Sequence, residues 1–143
     1  MAKKVTEESV KKWTKKWLET NGYKIVTITK KRGAPKKKKK GRGRKPLAAT
    51  PPDIKAKKGT SYYYVEAKGD PANSNALYTV IGQIVTKMAA KTQIDYAIAV
   101  SPSYERVLHL FPPEAQKKLK VKVIVPKISS KKKMPTIIYI PAE

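Results

Sequence analysis

Pro52-Asp53-Ile54-Lys55-Ala56-Lys57-Lys58-Gly59-Thr60-Ser61-Tyr62-Tyr63-Tyr64-Val65-Glu66-Ala67-Lys68 reads as a β-hairpin with carboxylates at its open end. Asp53 to Ala56 and Ser61 to Lys68 both have strand character, and Gly59-Thr60 has the Gly-X form of a type II′ turn. With those two residues as the loop, Lys58 opposes Ser61, and counting outward sets Asp53 across from Glu66. Alternation places Tyr62, Tyr64, Glu66 and Lys68 on one sheet face. Tyr63, Val65 and Ala67 share the other with Ile54 and Ala56. One face is expected to be apolar and the other chemical, with Tyr63 in the core and Tyr62 and Tyr64 partly exposed.

Like charges directly opposite in a sheet destabilise it, so an Asp53–Glu66 pair needs a compensating cation. Lys68, one same-face step from Glu66, is expected to supply part of that charge. A hard divalent ion would supply the rest, because Mg²⁺ is typically held by one or two carboxylates with waters and phosphate oxygens. The competing interpretation is that Asp53 only starts a strand, while Glu66 and Lys68 form an ordinary same-face ion pair.

Pro52-Asp53, a gap, and then Glu66-Ala67-Lys68 resembles the PD-(D/E)xK motif of the restriction-endonuclease-like nucleases, a superfamily that includes many restriction enzymes and archaeal Holliday-junction resolvases. The resemblance implies an α/β (α+β) fold with a mixed central β-sheet flanked by helices and the site at one sheet edge. It also implies a metal-dependent DNA endonuclease: Asp53, Glu66 and the backbone carbonyl of Ala67 holding Mg²⁺ or Mn²⁺, with Lys68 positioning the attacking water. In resembling nucleases an acidic residue of the first helix often reaches the metal, which makes Glu7 a further candidate ligand. Stabilisation of the helix start is its other role. Gln83 is similar in position to a glutamine that follows the catalytic strand in several of these families. A common form there is Gln-x-x-x-Tyr, whereas this chain has Lys87 in place of the tyrosine.

The composition agrees with a polyanionic partner. The chain of 143 residues carries 33 Lys and Arg against 10 Asp and Glu, a formal net charge of +23. That excess exceeds what solubility requires, and nucleic acid is the default partner. The length fits a single domain, residues 1–143. Cysteine is absent and His109 is the only histidine, so neither a disulfide framework nor a zinc site or histidine-based nucleophile mechanism has support. No apolar run is long enough to span a bilayer, and Met-Ala-Lys-Lys leads into a charged helix. A cytoplasmic, nucleic-acid-associated protein without a membrane partner is expected.

Before the hairpin, Thr6 to Thr20 is predicted to be a helix with Thr6 as N-cap, Glu7 and Glu8 in its first turn, and Val10, Trp13, Trp17 and Leu18 buried. Asn21-Gly22 ends it, and Tyr23 to Thr29 alternates as a strand. Residues 30–50 form a basic insertion that cannot pack. Lys36, Lys37, Lys38, Lys39, Lys40, Arg42, Arg44 and Lys45 in it suit phosphate contacts, which position a duplex without reading its sequence.

After the hairpin, Asn73 or Asn75 caps a predicted helix to about Lys91, with Leu77, Val80, Ile81, Ile84, Val85 and Met88 as its apolar stripe. Ile94 to Val100 follows as a strand, with Ala97 and Ala99 allowing close helix approach. A short helix over Tyr104 to Phe111 is expected next, broken by Pro112-Pro113, then a turn or two over Glu114 to Leu119. Strands over Val121–Val125 and Pro135–Ile140 close the chain. A homodimer is expected of an endonuclease that must cut both strands. The alternatives are a non-catalytic nucleic-acid-binding protein on the same fold and a subunit of a larger recombination or restriction assembly.

Overall fold

The computed structural model describes residues 4–28, 52–88, 93–127 and 136–140. Six strands form one mixed sheet in chain order: β1 (Lys24–Ile28), β2 (Ile54–Lys58), β3 (Ser61–Lys68), β4 (Ile94–Val100), β5 (Val121–Lys127) and β6 (Thr136–Ile140). β1, β2 and β3 pair antiparallel, β3, β4 and β5 run parallel, and β6 returns antiparallel to β5. Helices α1 (Glu7–Thr20), α2 (Ser74–Val85) and α3 (Pro113–Leu119) complete a mixed α/β architecture. The basic insertion, with Lys36 to Lys40, Arg42, Arg44 and Lys45, lies outside the described residues.

The hairpin register follows its turn. Gly59 has φ +64°, the left-handed value that a residue without Cβ adopts at little cost. Lys58 pairs with Ser61 and Ile54 with Val65, so one further step outward brings Asp53 level with Glu66.

Both sheet faces carry a core. On one, α1 lies over Ile54, Ala56, Tyr63, Val65, Ala67, Ala97 and Ala99. The small Ala97 and Ala99 let the helix approach. On the other, Leu77, Val80 and Ile84 of α2 pack with Tyr96, Ile98 and Val100 of β4 and with Val121, Val123 and Val125 of β5. The face expected to be purely chemical is therefore half core, because β4 and β5, parallel and central, are apolar on both sides. Among the described residues no helix is long and apolar enough to cross a membrane.

Local differences from the sequence reading have identifiable causes. Thr6 caps α1 as expected, its Oγ1 accepting from Ser9 N–H at 3.1 Å. The buried stripe, however, is Val10, Lys11, Thr14 and Leu18, and both Trp13 and Trp17 sit at its margins, half-buried. The helix is rotated so that Trp17 meets Tyr63 edge-on, ring centroids 6.3 Å apart. Lys11 lays its stem in the contact and its ammonium 3.6 Å from Glu7 and 3.7 Å from Glu8.

In β1, strict alternation fails at a bulge between Ile25 and Thr27, which puts Ile28 opposite Ile54 and on the same core as Ile25. Tyr104 to Phe111 forms two short 3-10 segments, Pro102–Arg106 and Leu108–Leu110. Pro113 begins α3, since its fixed φ suits a first helical position. α2 ends at Val85, ahead of the expected Lys91, and residues 89–91 lie outside the described residues.

Candidate active site

The first side chain of the site, Asp53, sits one residue before β2, half-buried, behind a buried Pro52. Its Oδ2 accepts the backbone N–H of Ala67 at 2.9 Å. That bond carries the hairpin pairing one step past the β2 ladder and locks the Asp53 carboxylate beside Glu66.

Glu66 itself is 3% exposed, held between Val65 and Ala67 on β3 and paired in register with Ile98 of β4. Burial pushes its carboxyl up to about 7, the neighbouring Asp53 carboxylate adds to the rise, and Lys87 opposes it. Glu66 Oε2 is buried and faces a charged partner rather than a backbone donor. The Lys87 ammonium lies 3.4 Å from Glu66 Oε2.

Lys87 owes its place to the way α2 ends. Thr86 N–H still bonds Gly82 O, whereas Lys87 N–H reaches Ile84 O and Met88 N–H reaches Val85 O, three residues back. The last turn tightens, Thr86 Oγ1 and Lys87 Nζ both converge on Gln83 O at 2.8 and 3.4 Å, and the ammonium is left between a helix C-terminus and Glu66. A cation is favoured at both. Its side chain is only 11% exposed.

The expected site residues separate into two groups. Asp53, Glu66 and the Ala67 backbone come together. Lys68 does not compensate Glu66: it is half-buried and lines a neighbouring cleft of about 380 Å³ with Thr6, Glu7, Asp70, Asn73 and Tyr104. Glu7 faces that cleft and pairs with Lys11, 3.6 Å away, while its first-turn position gives it the helix-start role as well. Gln83 is exposed, and its carbonyl is the atom that accepts from Thr86 and Lys87. His109 is exposed, its Nδ1 3.1 Å from Arg106 O.

The cleft is held by Asp70. Its carboxylate accepts Val5 N–H at 2.8 Å and Ser101 Oγ–H at 2.8 Å, and also Ser103 Oγ–H. Partial burial alone would raise its carboxyl. The bonds from Ser103, Val5 and Ser101, with the Lys4 charge, together hold it below the ordinary aspartate value. Tyr104 is pushed up to about 12 by burial and by Asp70 and Glu7, and its hydroxyl donates to Gly69 O at 3.2 Å.

The donor set has the chemistry of a hard divalent cation site of the Mg²⁺ or Mn²⁺ kind: a buried carboxylate with a second carboxylate beside it, the remaining ligands of such an ion being water and phosphate oxygens. Among the described residues no group of three or more Asp, Glu or His side chains could hold an ion by themselves. Lys87 was missed because its residue type departs from the tyrosine of the resembling pattern. Its spacing from Gln83 was the available signal. No family model matches the chain, and no curated protein and no solved structure is significantly similar to it.

Proposed function

We propose that the protein is a metal-dependent nuclease that hydrolyses DNA phosphodiesters through a PD-(D/E)xK site on a restriction-endonuclease-like core. The observation that carries this reading is the meeting of Asp53 with a buried Glu66 at the end of the hairpin, with the Lys87 ammonium 3.4 Å from Glu66 Oε2. The mixed sheet with helices on both faces is what the resemblance implies. Asp53, Glu66 and the Ala67 carbonyl would hold Mg²⁺ or Mn²⁺, which when bound activates water and neutralises charge on the phosphate.

The protein's own groups do the rest. Asp53, fixed by Ala67 N–H, keeps its carboxylate pointed at Glu66. Lys68, which lines the adjoining cleft, would orient the attacking water and face the charge that develops on the phosphate, an electrostatic task. Lys87 opposes the rise of the Glu66 carboxyl and, when that oxygen is taken up, would be free to meet a phosphate oxygen as a second cation.

A second reading, a non-catalytic nucleic-acid-binding protein on this fold, draws on the same Lys87–Glu66 contact, since Lys87 already neutralises Glu66. Cleavage of labelled plasmid, linear duplex, single strand and four-way junction with Mg²⁺, Mn²⁺ or EDTA separates the two. Metal-dependent cutting that Glu66→Ala abolishes is the result expected of a nuclease. Binding without cutting of any DNA is the result expected of a binding protein.

A further inference from the structure

The carboxylate pair stands at the end of a stripe that the proposed chemistry does not use. On the same sheet face as Glu66, three lysines and two tyrosines lie in two rows across β1, β2 and β3. Lys24 pairs with Lys57 and Lys57 with Tyr62; Thr27 pairs with Lys55 and Lys55 with Tyr64. The next step along the face is Asp53 and Glu66. Two-residue steps along a strand measure about 6.6 Å, a length that one extended nucleotide spans.

The stripe is accessible. Lys24 and Lys57 are exposed and Lys55 and Tyr62 are half-exposed, while Tyr64, half-buried, packs against the core that α2 covers. The ammonium of Lys55 lies 5.3 Å from the centroid of the Tyr62 ring and 5.7 Å from that of Tyr64, and Lys57 lies 5.7 Å from Tyr62. Tyr64 is anchored edge-on against Tyr96 at 5.8 Å, and Tyr62 leans on Tyr64 at 6.4 Å. Lys24 directly opposite Lys57 is an arrangement a sheet avoids, because like charges across a pair destabilise it. A polyanion laid along the stripe removes that repulsion.

From this we infer that the Lys24–Lys55–Lys57 and Tyr62–Tyr64 face is a track for single-stranded nucleic acid leading to Asp53 and Glu66. A duplex offers only its phosphates to such a face, because its bases are already stacked. An unpaired strand offers phosphates to the lysines and a base to the Tyr62 ring, and base–aromatic stacking is a stronger contact than an exposed ammonium over the same ring. The lysines leave the rings for the phosphates as the base arrives. The inference rests on the nuclease reading only for where the track leads, since binding requires no turnover.

The test is fluorescence anisotropy in EDTA with the full chain and three labelled probes: a twelve-nucleotide oligo-dT, an abasic strand of the same length and charge, and a twelve-base-pair duplex. The wild-type protein is expected to bind oligo-dT roughly 5- to 100-fold more tightly than the abasic strand. Tyr62→Phe keeps that preference and Tyr62→Ala loses it. Replacing Lys24 and Lys57 by Gln raises the melting temperature while weakening oligo-dT binding and flattening its salt dependence by about 0.7 per lost phosphate contact. Equal binding of oligo-dT and the abasic strand by the wild-type protein, duplex binding as tight as oligo-dT binding, or a Lys24/Lys57 variant that is stabilised with unchanged affinity would each overturn the track. If no DNA is ever cut but these binding results hold, the nuclease reading fails and the track stands.

Discussion

Lys87 Nζ lies 3.4 Å from Glu66 Oε2, so the charge that balances the buried carboxylate comes from the residue just beyond the end of α2 and not from Lys68, two residues along β3. Lys87 and a divalent cation would compete for one oxygen. Replacing Lys87 by Met is therefore expected to raise the Glu66 carboxyl further and to destabilise the metal-free protein at pH 8 by at most about 1.4 kcal/mol, the cost of protonating a group with a value of about 7 one unit above it. Mn²⁺ should recover more melting temperature in this variant than in the wild type. Thermal denaturation with and without Mn²⁺ checks both expectations.

Glu66 gives stability a pH dependence of known sign. A carboxyl whose folded value is raised to about 7 binds its proton more tightly folded than unfolded. The penalty for ionising it is absent below the ordinary glutamate range, grows as pH rises toward 7 and is complete above it. Glu66→Gln should therefore stabilise the metal-free protein at pH 8 by roughly 2 kcal/mol and change little at pH 4. Divalent-ion affinity of the wild type, measured by calorimetry, should rise with pH through 7 as the proton ceases to compete.

Much of this geometry was legible in the sequence, and the reason is the turn. Gly59-Thr60 and the two-residue period of a strand fix the hairpin register from Lys58 and Ser61 outward, and that alone sets Asp53 beside Glu66. For Lys87 only the spacing from Gln83 was legible, because its place beside Glu66 depends on how α2 tightens after Val85 and on the path that carries the helix across β3. The rotation of α1 was ambiguous for another reason. Val10, Trp13, Trp17 and Leu18 are compatible with several faces, and the contact with Tyr63 chooses one that buries Lys11 and Thr14. The β1 bulge that turns Ile28 inward has no marker such as glycine in Lys24-Ile25-Val26-Thr27-Ile28.

Gly69 is required where α1 meets the end of β3. A Cβ there would lie 2.4 Å from Glu7 N and 2.6 Å from Val5 O, and backbone cannot swing aside as a side chain can. Gly69→Ala should cost about 1–3 kcal/mol in chemical denaturation and displace the first turn of α1, where Glu7 lines the cleft.

Asp70 ties the same joint. With its carboxyl held below the ordinary value, its contribution is present above the unfolded aspartate range and is lost as pH falls through the folded value. Asp70→Ala, which leaves Val5 N–H and the Ser101 and Ser103 hydroxyls without their acceptor, should lower stability at pH 7 by about 2 kcal/mol. The deficit relative to wild type should narrow in acid. Urea titrations of both proteins at pH 7 and pH 3 give the comparison.

If Asp53 and Glu66 together hold a divalent ion for hydrolysis of nucleic acid, ion binding and cutting depend on the same two side chains. Calorimetric titration of Mn²⁺ into wild-type, Asp53→Asn and Glu66→Ala proteins, each then assayed for cutting of the labelled DNA panel, links ion and reaction in the same samples. Mn²⁺ binding and Mn²⁺-dependent cutting are expected in the wild type, with both lost in each variant. Binding of Mn²⁺ that survives both substitutions, or cutting that persists in EDTA, would contradict that dependence.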